Sequence, residues 1–104
     1  MTKQNGETVM SKLKFAVHPG RILRDEYLEP LKLSAGKLAA HIGVPRTRIE
    51  RLANEETAVT PDTAARLAAA LKTSPQFWMN LQASYDLATM EHPRGIKPLK
   101  LAVA

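Results

Sequence analysis

The sequence contains no cysteine, which excludes disulfides, thiolate metal sites and thiol nucleophiles, so the core must be held by packing alone. Glycine and aromatic residues are scarce, with five of each, whereas alanine and leucine supply more than a quarter of the 104 residues. This balance favours helices over a β-sandwich or barrel. The length fits one small domain. We therefore predict an all-α fold.

Long hydrophobic runs are also missing. No uncharged stretch approaches the roughly 20 apolar residues of a membrane span, and segment 1–11 lacks the apolar core of a secretory signal. We expect a cytoplasmic protein without membrane contact. The net charge is +5, but segments 1–14 and 91–104 carry +2 each and leave only +1 for residues 15–90. Local clustering of charge is therefore better evidence for nucleic-acid binding than the total.

Prolines and capping residues divide the chain into five predicted helices. Ser34 is an N-cap candidate and Gly43 a permissive helix end, while Thr60-Pro61 and Ser74-Pro75 each combine an N-cap with a proline at the first helical position. The predicted helices cover about residues 19–28, 35–42, 45–53, 61–71 and 75–89.

The predicted domain covers residues 15–90. Residues 1–14 have no periodic apolar face and are predicted to be a flexible arm. Residues 91–104 form a predicted C-terminal tail, because their prolines and glycine cannot continue a helix. Within this tail, Leu99 to Val103 is expected to form either a strand or a partner-binding segment.

The stretch from Ser34 to Ala53 is typical of a helix-turn-helix, because two short helices are joined across a glycine and the second begins at a proline. Apolar residues would lock the two helices together and leave one face of the second helix free to enter a major groove of DNA. Arginine can read guanine or grip phosphate, and threonine can bond bases or touch a thymine methyl. The base-reading candidates on that face are Arg46, Thr47, Arg48 and Arg51.

Four further blocks of sequence occur in order along the chain. They are His18-Pro19-Gly20-Arg21-Ile22-Leu23, Leu28-Glu29-Pro30-Leu31, Leu38-Ala39-Ala40-His41-Ile42-Gly43-Val44, and Ser74-Pro75-Gln76-Phe77-Trp78-Met79-Asn80-Leu81-Gln82 with Tyr85-Asp86-Leu87. With these blocks the chain resembles the HigA antitoxins, also called virulence-associated protein I, of the Xre/Cro-type helix-turn-helix class. The resemblance implies a lambda-repressor-like domain of five helices.

The resemblance also implies a function: a dimeric repressor that binds its own operator DNA and neutralises a RelE-like HigB toxin, an mRNA-cleaving ribonuclease. No cofactor or metal is implied. By position, Ser34, Lys37 and Asn54 match backbone-contacting residues of the motif. The family often has Asn-Gly where this chain has Asn54-Glu55-Glu56. Because carboxylates repel phosphates, either Asn54 makes no backbone contact or the two glutamates lie away from DNA.

The aromatic stripe of the fifth helix is the predicted dimer contact, through Trp78, Leu81 and Tyr85. The alternative is pairing through the C-terminal tail.

Two other functions compete with DNA binding. A pure protein-interaction module would cap a toxin without binding an operator. A small hydrolase would need a nucleophile-base pair and a phosphate loop, which the sequence lacks, so we predict that the protein is not an enzyme. The three histidines are expected to be solvated or capping residues rather than zinc ligands.

Overall fold

The computed structural model describes residues 16–101, and within that range the chain is all-helical with five helices and no strand. Helix α1 begins as an α-helix over Pro19–Ile22 and continues as a π-helical segment over Leu23–Leu28. The other helices are α2 (Ala35–Ile42), α3 (Arg46–Ala53), α4 (Pro61–Leu71) and α5 (Pro75–Thr89). The predicted all-α class and helix count are confirmed. The predicted flexible arm, residues 1–14, lies outside the described residues.

Local side-chain caps explain why three of the helices begin where they do. The hydroxyl oxygens of Ser34, Thr60 and Ser74 accept hydrogen bonds from backbone N–H groups at 3.0, 3.3 and 3.0 Å, respectively. Each bond satisfies one of the donors that the first helical turn leaves unpaired. Pro45 differs from its prediction, because it is the extended N-cap residue of α3 and the helix begins one residue later.

The turn between α2 and α3 depends on a left-handed residue. Gly43 has φ 76° and ψ 35°, a conformation that glycine adopts without a Cβ clash. The N–H of Val44 then donates to the carbonyl of Ala39 at 3.0 Å and closes the end of α2. This tight closure brings α2 and α3 into the helix-turn-helix arrangement.

The core joins all five helices around one tryptophan. Trp78 is completely buried, its indole N–H donates to Thr73 Oγ1 at 2.7 Å, and its ring lies 5.6 Å from Tyr27 and 5.1 Å from Phe77. The predicted role of Trp78 as a dimer contact is therefore wrong. The physical reason is that the indole is enclosed within the protomer, between the rings of Tyr27 and Phe77, and has no exposed surface for a second copy to contact.

The other two predicted dimer-contact residues are only partly buried. Leu81 packs against the edge of the core, and the ring of Tyr85 lies edge-on against His18 at 4.8 Å. Part of each side chain stays accessible on α5. Their role in a dimer remains a prediction.

The C-terminal segment leaves the domain after α5. Residues 91–101 form neither helix nor strand, and Ile96, Leu99 and Leu101 are largely exposed. The predicted strand at Leu99–Val103 is not formed by residues 99–101, and its last two residues lie outside the described range.

Candidate DNA-binding surface

Helix α3 separates an apolar side from a cationic side. Ile49, Leu52 and Ala53 are buried in the core. The four predicted base-reading residues are all exposed: Arg46, Thr47, Arg48 and Arg51. Because the buried residues fix the rotation of the helix, the cationic side has one fixed direction.

A cleft of about 400 Å³ runs between α3 and the start of α4. Thr47, Arg48 and Arg51 line it from α3, and Thr60 and Asp62 line it from the opposite wall. Three of the four predicted base-reading residues therefore lie around this cleft.

Arg46 lies against α2 instead. A Cβ built on Gly36 would lie 3.1 Å from Arg46 Cδ, so the absence of a side chain at Gly36 makes room for the arginine stem. Arg46 Nε also lies 3.3 Å from Glu50 Oε2, one turn along α3. The Arg46 side chain nevertheless remains 71% exposed.

Arg48 is held across the cleft by α4. Its Nη1 donates to Asp62 Oδ2 at 2.7 Å, and Asp62 also accepts from Arg66 Nε at 3.0 Å. These two hydrogen bonds, first the one from Arg48 and then the one from Arg66, hold the pKa of the Asp62 carboxyl below its usual value. Arg66 in turn donates to the carbonyl of Ile42 at 2.7 Å. One chain of contacts therefore links α2, α3 and α4.

Arg51 differs from both of its neighbours. Among residues 16–101 it makes no ion pair, and its side chain is exposed. Its guanidinium group retains all of its donors for a ligand. Of the three arginines on α3, Arg51 is therefore the one most available to bind DNA.

The three predicted backbone-contacting residues lie at helix ends. Ser34 and Lys37 are exposed at the start of α2, and Asn54 is exposed at the end of α3. The Ser34 oxygen accepts the helix-capping bond, so its hydroxyl hydrogen remains free to donate. Contact of these residues with a DNA backbone remains a prediction.

Known proteins are similar to this chain in both sequence and fold. The helix-turn-helix family model HTH_3 matches residues 25–78. Virulence-associated protein I of Dichelobacter nodosus is 43% identical over 79 residues, which cover 76% of this chain and 73% of that protein. Antitoxin HigA-1 of Vibrio cholerae is 36% identical over 88 residues, covering 80% and 83%. The chain belongs to the HigA family of helix-turn-helix proteins.

Solved structures of two antitoxins agree with this assignment. Pseudomonas aeruginosa antitoxin HigA with the higBA promoter is 42% identical, with a TM-score of 0.70 over 71% of this chain and 80% of that one. Antitoxin GraA in complex with its operator is 41% identical, with a TM-score of 0.68 over 70% and 74%. The prediction that the chain is not an enzyme is confirmed by its membership of this family of regulators and antitoxins.

Two residues hold α3, the helix predicted to read DNA, in ways that were not predicted from the sequence: Arg24 and Gly20. Arg24 Nη1 donates to the carbonyl of Ala53 at 2.6 Å and thereby caps the end of α3. Gly20 allows α1 to touch the same helix, since a Cβ there would lie 2.7 Å from the carbonyl carbon of Leu52 and closer still to its oxygen. A glycine inside a helical pattern was the available signal for this close packing.

Glu55 shows where one of the two unexpected carboxylates lies. It adopts a left-handed φ of 64°, and its Oε2 lies 3.3 Å from Arg24 Nη2. A left-handed φ is a conformation that glycine adopts more readily than glutamate. The ion pair directs the Glu55 carboxylate towards α1.

The histidines serve as caps where their contacts are defined. His18 is buried, and its Nδ1 accepts the N–H of Gly20 at 2.8 Å at the start of α1. Burial lowers the pKa of the His18 imidazole, against an opposing effect of the nearby Glu55 charge. His92 Nε2 lies 2.8 Å from the carbonyl oxygen of Leu87 at the end of α5.

Residues 16–101 contain neither a candidate metal site nor a membrane-spanning helix. In that range, no group of three histidine, cysteine, aspartate or glutamate residues is placed to hold a metal ion. In the same range, no helix combines the length and the apolar character needed to cross a membrane.

Proposed function

We propose that this protein is a sequence-specific repressor and antitoxin of a HigBA-type module. It binds the operator of its own operon and neutralises a RelE-like, mRNA-cleaving toxin. The observation that carries the proposal is the fixed cationic side of α3, which a chain of contacts to α2 and α4 holds in one direction. The proposal is supported by the HigA relative at 42% identity whose structure includes its promoter DNA.

DNA reading is assigned to α3 inserted into a major groove. Arg46, Thr47, Arg48 and Arg51 face the base edges, where arginine bonds guanine bidentately and threonine meets a thymine methyl or a base polar group. Ser34, Lys37 and Asn54 hold the phosphates on either side and fix the register. The Glu55 carboxylate, paired with Arg24, does not oppose a phosphate contact at Asn54.

The operator complex is expected to contain a homodimer. One recognition helix covers only a few base pairs, whereas two related by a twofold axis reach half-sites about 34 Å apart. The accessible parts of Leu81 and Tyr85 on α5 are the proposed contact. The boundaries of the working unit are proposed as residues 15–90, with 1–14 and 91–104 as arm and tail.

The second proposed partner is the HigB-type toxin, and the proposed location is the cytoplasm, where both the operator and mRNA are found. Co-expression of this protein with the RelE-like toxin that the proposal places beside its gene is expected to relieve the toxicity of that toxin. Growth arrest that continues despite a folded antitoxin would contradict this part of the proposal.

Operator binding is tested by fluorescence anisotropy with labelled DNA from upstream of the gene and a scrambled duplex of equal length. Wild type is expected to prefer the upstream DNA by at least about 10³-fold, and to lose affinity steeply as salt rises. Arg94→Ala, which removes an exposed arginine beyond α5, is the charge-matched control for Arg51→Ala. Toxin binding without operator preference would favour the pure protein-interaction module.

A further inference from the structure

Asp62 is the one carboxylate in the described chain that faces the recognition helix from another helix and bonds two arginines. Arg48 Nη1 lies 2.7 Å from its Oδ2, and Arg66 Nε lies 3.0 Å from the same oxygen and 3.1 Å from Oδ1. Its backbone is fixed in the first turn of α4, which Thr60 caps. Arg66 is itself anchored to the carbonyl of Ile42. The Asp62 carboxylate therefore binds Arg48 from a helix whose position is set by its own contacts.

The other arginines of α3 lack such a restraint. Arg46 pairs with Glu50 on its own helix, at the longer distance of 3.3 Å, and Arg51 has no carboxylate partner within residues 16–101. Sequence-independent DNA binding comes from cations that are free to follow the phosphates. An arginine held by a carboxylate contributes less to such binding than a free one.

We propose that Asp62 is a specificity-determining positioning residue, which keeps Arg48 from making sequence-independent phosphate contacts and so raises the preference for operator over other DNA. This inference rests on the proposed DNA-binding function. On an operator, the restrained guanidinium retains donors that can face a base. On other DNA, the restraint prevents the side chain from swinging to the nearest phosphate.

The magnitude follows from counterion release. One phosphate contact changes the slope of log K against log salt by about 0.9, which gives about eightfold in affinity at 0.1 M salt relative to 1 M salt. Releasing Arg48 is expected to raise scrambled-DNA affinity by about that factor and to steepen the slope by about 0.9. Operator affinity is expected to change less than twofold, so the preference for operator falls about eightfold.

The experiment compares Asp62→Asn with Asp25→Asn in the full chain by anisotropy titrations at several salt concentrations. Asp25 is a matched control, because it is an exposed carboxylate that contacts two arginines, Arg21 and Arg24, on α1. Both variants change the net charge by the same amount. Asparagine keeps the size of the side chain but removes the carboxylate charge that holds Arg48.

Three results would overturn the proposal. Scrambled-DNA affinity could rise equally in both variants, which would leave only a net-charge effect. Operator affinity could fall while scrambled-DNA affinity stays constant, which would mean that Asp62 only orients Arg48. The gain of Asp62→Asn could persist in the Arg48→Ala background, which would indicate direct repulsion of DNA by Asp62.

The expected result is a gain specific to Asp62→Asn that Arg48→Ala abolishes. Melting curves of all variants verify that each is folded. Failure of the underlying function is recognised separately, because wild type itself would then show no preference between operator and scrambled DNA.

Discussion

Replacing Gly20 with alanine is expected to destabilise the domain severely. The new Cβ would lie 2.7 Å from the carbonyl carbon of Leu52 and closer to its oxygen, whereas ordinary contact begins near 3.4 Å. The carbonyl carbon alone would require the backbones of α1 and α3 to separate by about 0.7 Å, and the closer oxygen requires a larger separation. Both obstacles are backbone atoms, which no rotamer change can move aside.

Overpacking of a closed interior costs about 1–3 kcal/mol, and we expect the upper end, about 3 kcal/mol, because a backbone must move. For a domain of this size each kcal/mol corresponds to about 4–8 °C, so the melting temperature should fall by about 12–24 °C. Circular dichroism at 222 nm during heating measures it. Operator affinity should fall at temperatures where the variant begins to unfold.

Gly36→Ala is the matched control on a neighbouring helix. Its Cβ would meet only the flexible stem of Arg46 at 3.1 Å, and alanine favours a helix over glycine by about 1 kcal/mol. Stability should therefore be unchanged or higher, while operator affinity falls because Arg46 is displaced. A Gly20→Ala protein that melts within about 2 °C of wild type would refute the close-packing argument.

Three further predictions concern the arginines of α3, the buried His18 and the dimer contact. Arg46→Ala and Arg51→Ala should each weaken operator binding by about 1–3 kcal/mol without lowering the melting temperature, whereas Arg94→Ala should do neither; unchanged operator binding in the first two would remove α3 as the reader. The free energy of unfolding in urea should fall as the pH drops below about 6.5, because the unfolded state takes up a proton that buried His18 resists, and His18→Asn should flatten this profile. A chain truncated after Met90 should remain dimeric in sedimentation experiments if α5 is the contact; a folded monomer at concentrations where the full chain is dimeric would assign the dimer to the tail.

The helix boundaries could be predicted because their causes are local. The hydroxyls of Ser34, Thr60 and Ser74 act on N–H groups three residues away, and Gly43 acts at its own φ. Such signals need no knowledge of the tertiary fold. The π-helical segment of α1 had no comparable signal in the sequence.

The role of Trp78 could not be predicted because it depends on how α1 packs against α5. An aromatic stripe at helical spacing fits a core and an interface equally well by periodicity. Only the placement of α1 against α5 shows that the indole is enclosed, with Tyr27 on one side. The neighbouring Tyr85, on the same stripe, retains an accessible part.

The partners of each arginine could not be predicted from the sequence either, because some of them come from distant segments of the chain. Arg48 meets Asp62 across 14 residues of sequence, and Arg24 meets the carbonyl of Ala53 across 29. The sequence shows only that three arginines share one helical face. It cannot show which of them is held by a carboxylate.

These pairings change how the nearly neutral domain is expected to bind DNA. Residues 15–90 carry a net charge of only +1, and within the described chain Arg24, Arg46, Arg48 and Arg66 all lie beside carboxylates. Long-range attraction to phosphate is weak under those conditions, so the free energy of binding must come from a few directed contacts. Directed contacts discriminate between sequences, whereas diffuse charge does not. A low net charge on the DNA-reading domain is therefore expected to weaken its binding to non-operator DNA, which is in large excess in the cell and competes for a repressor.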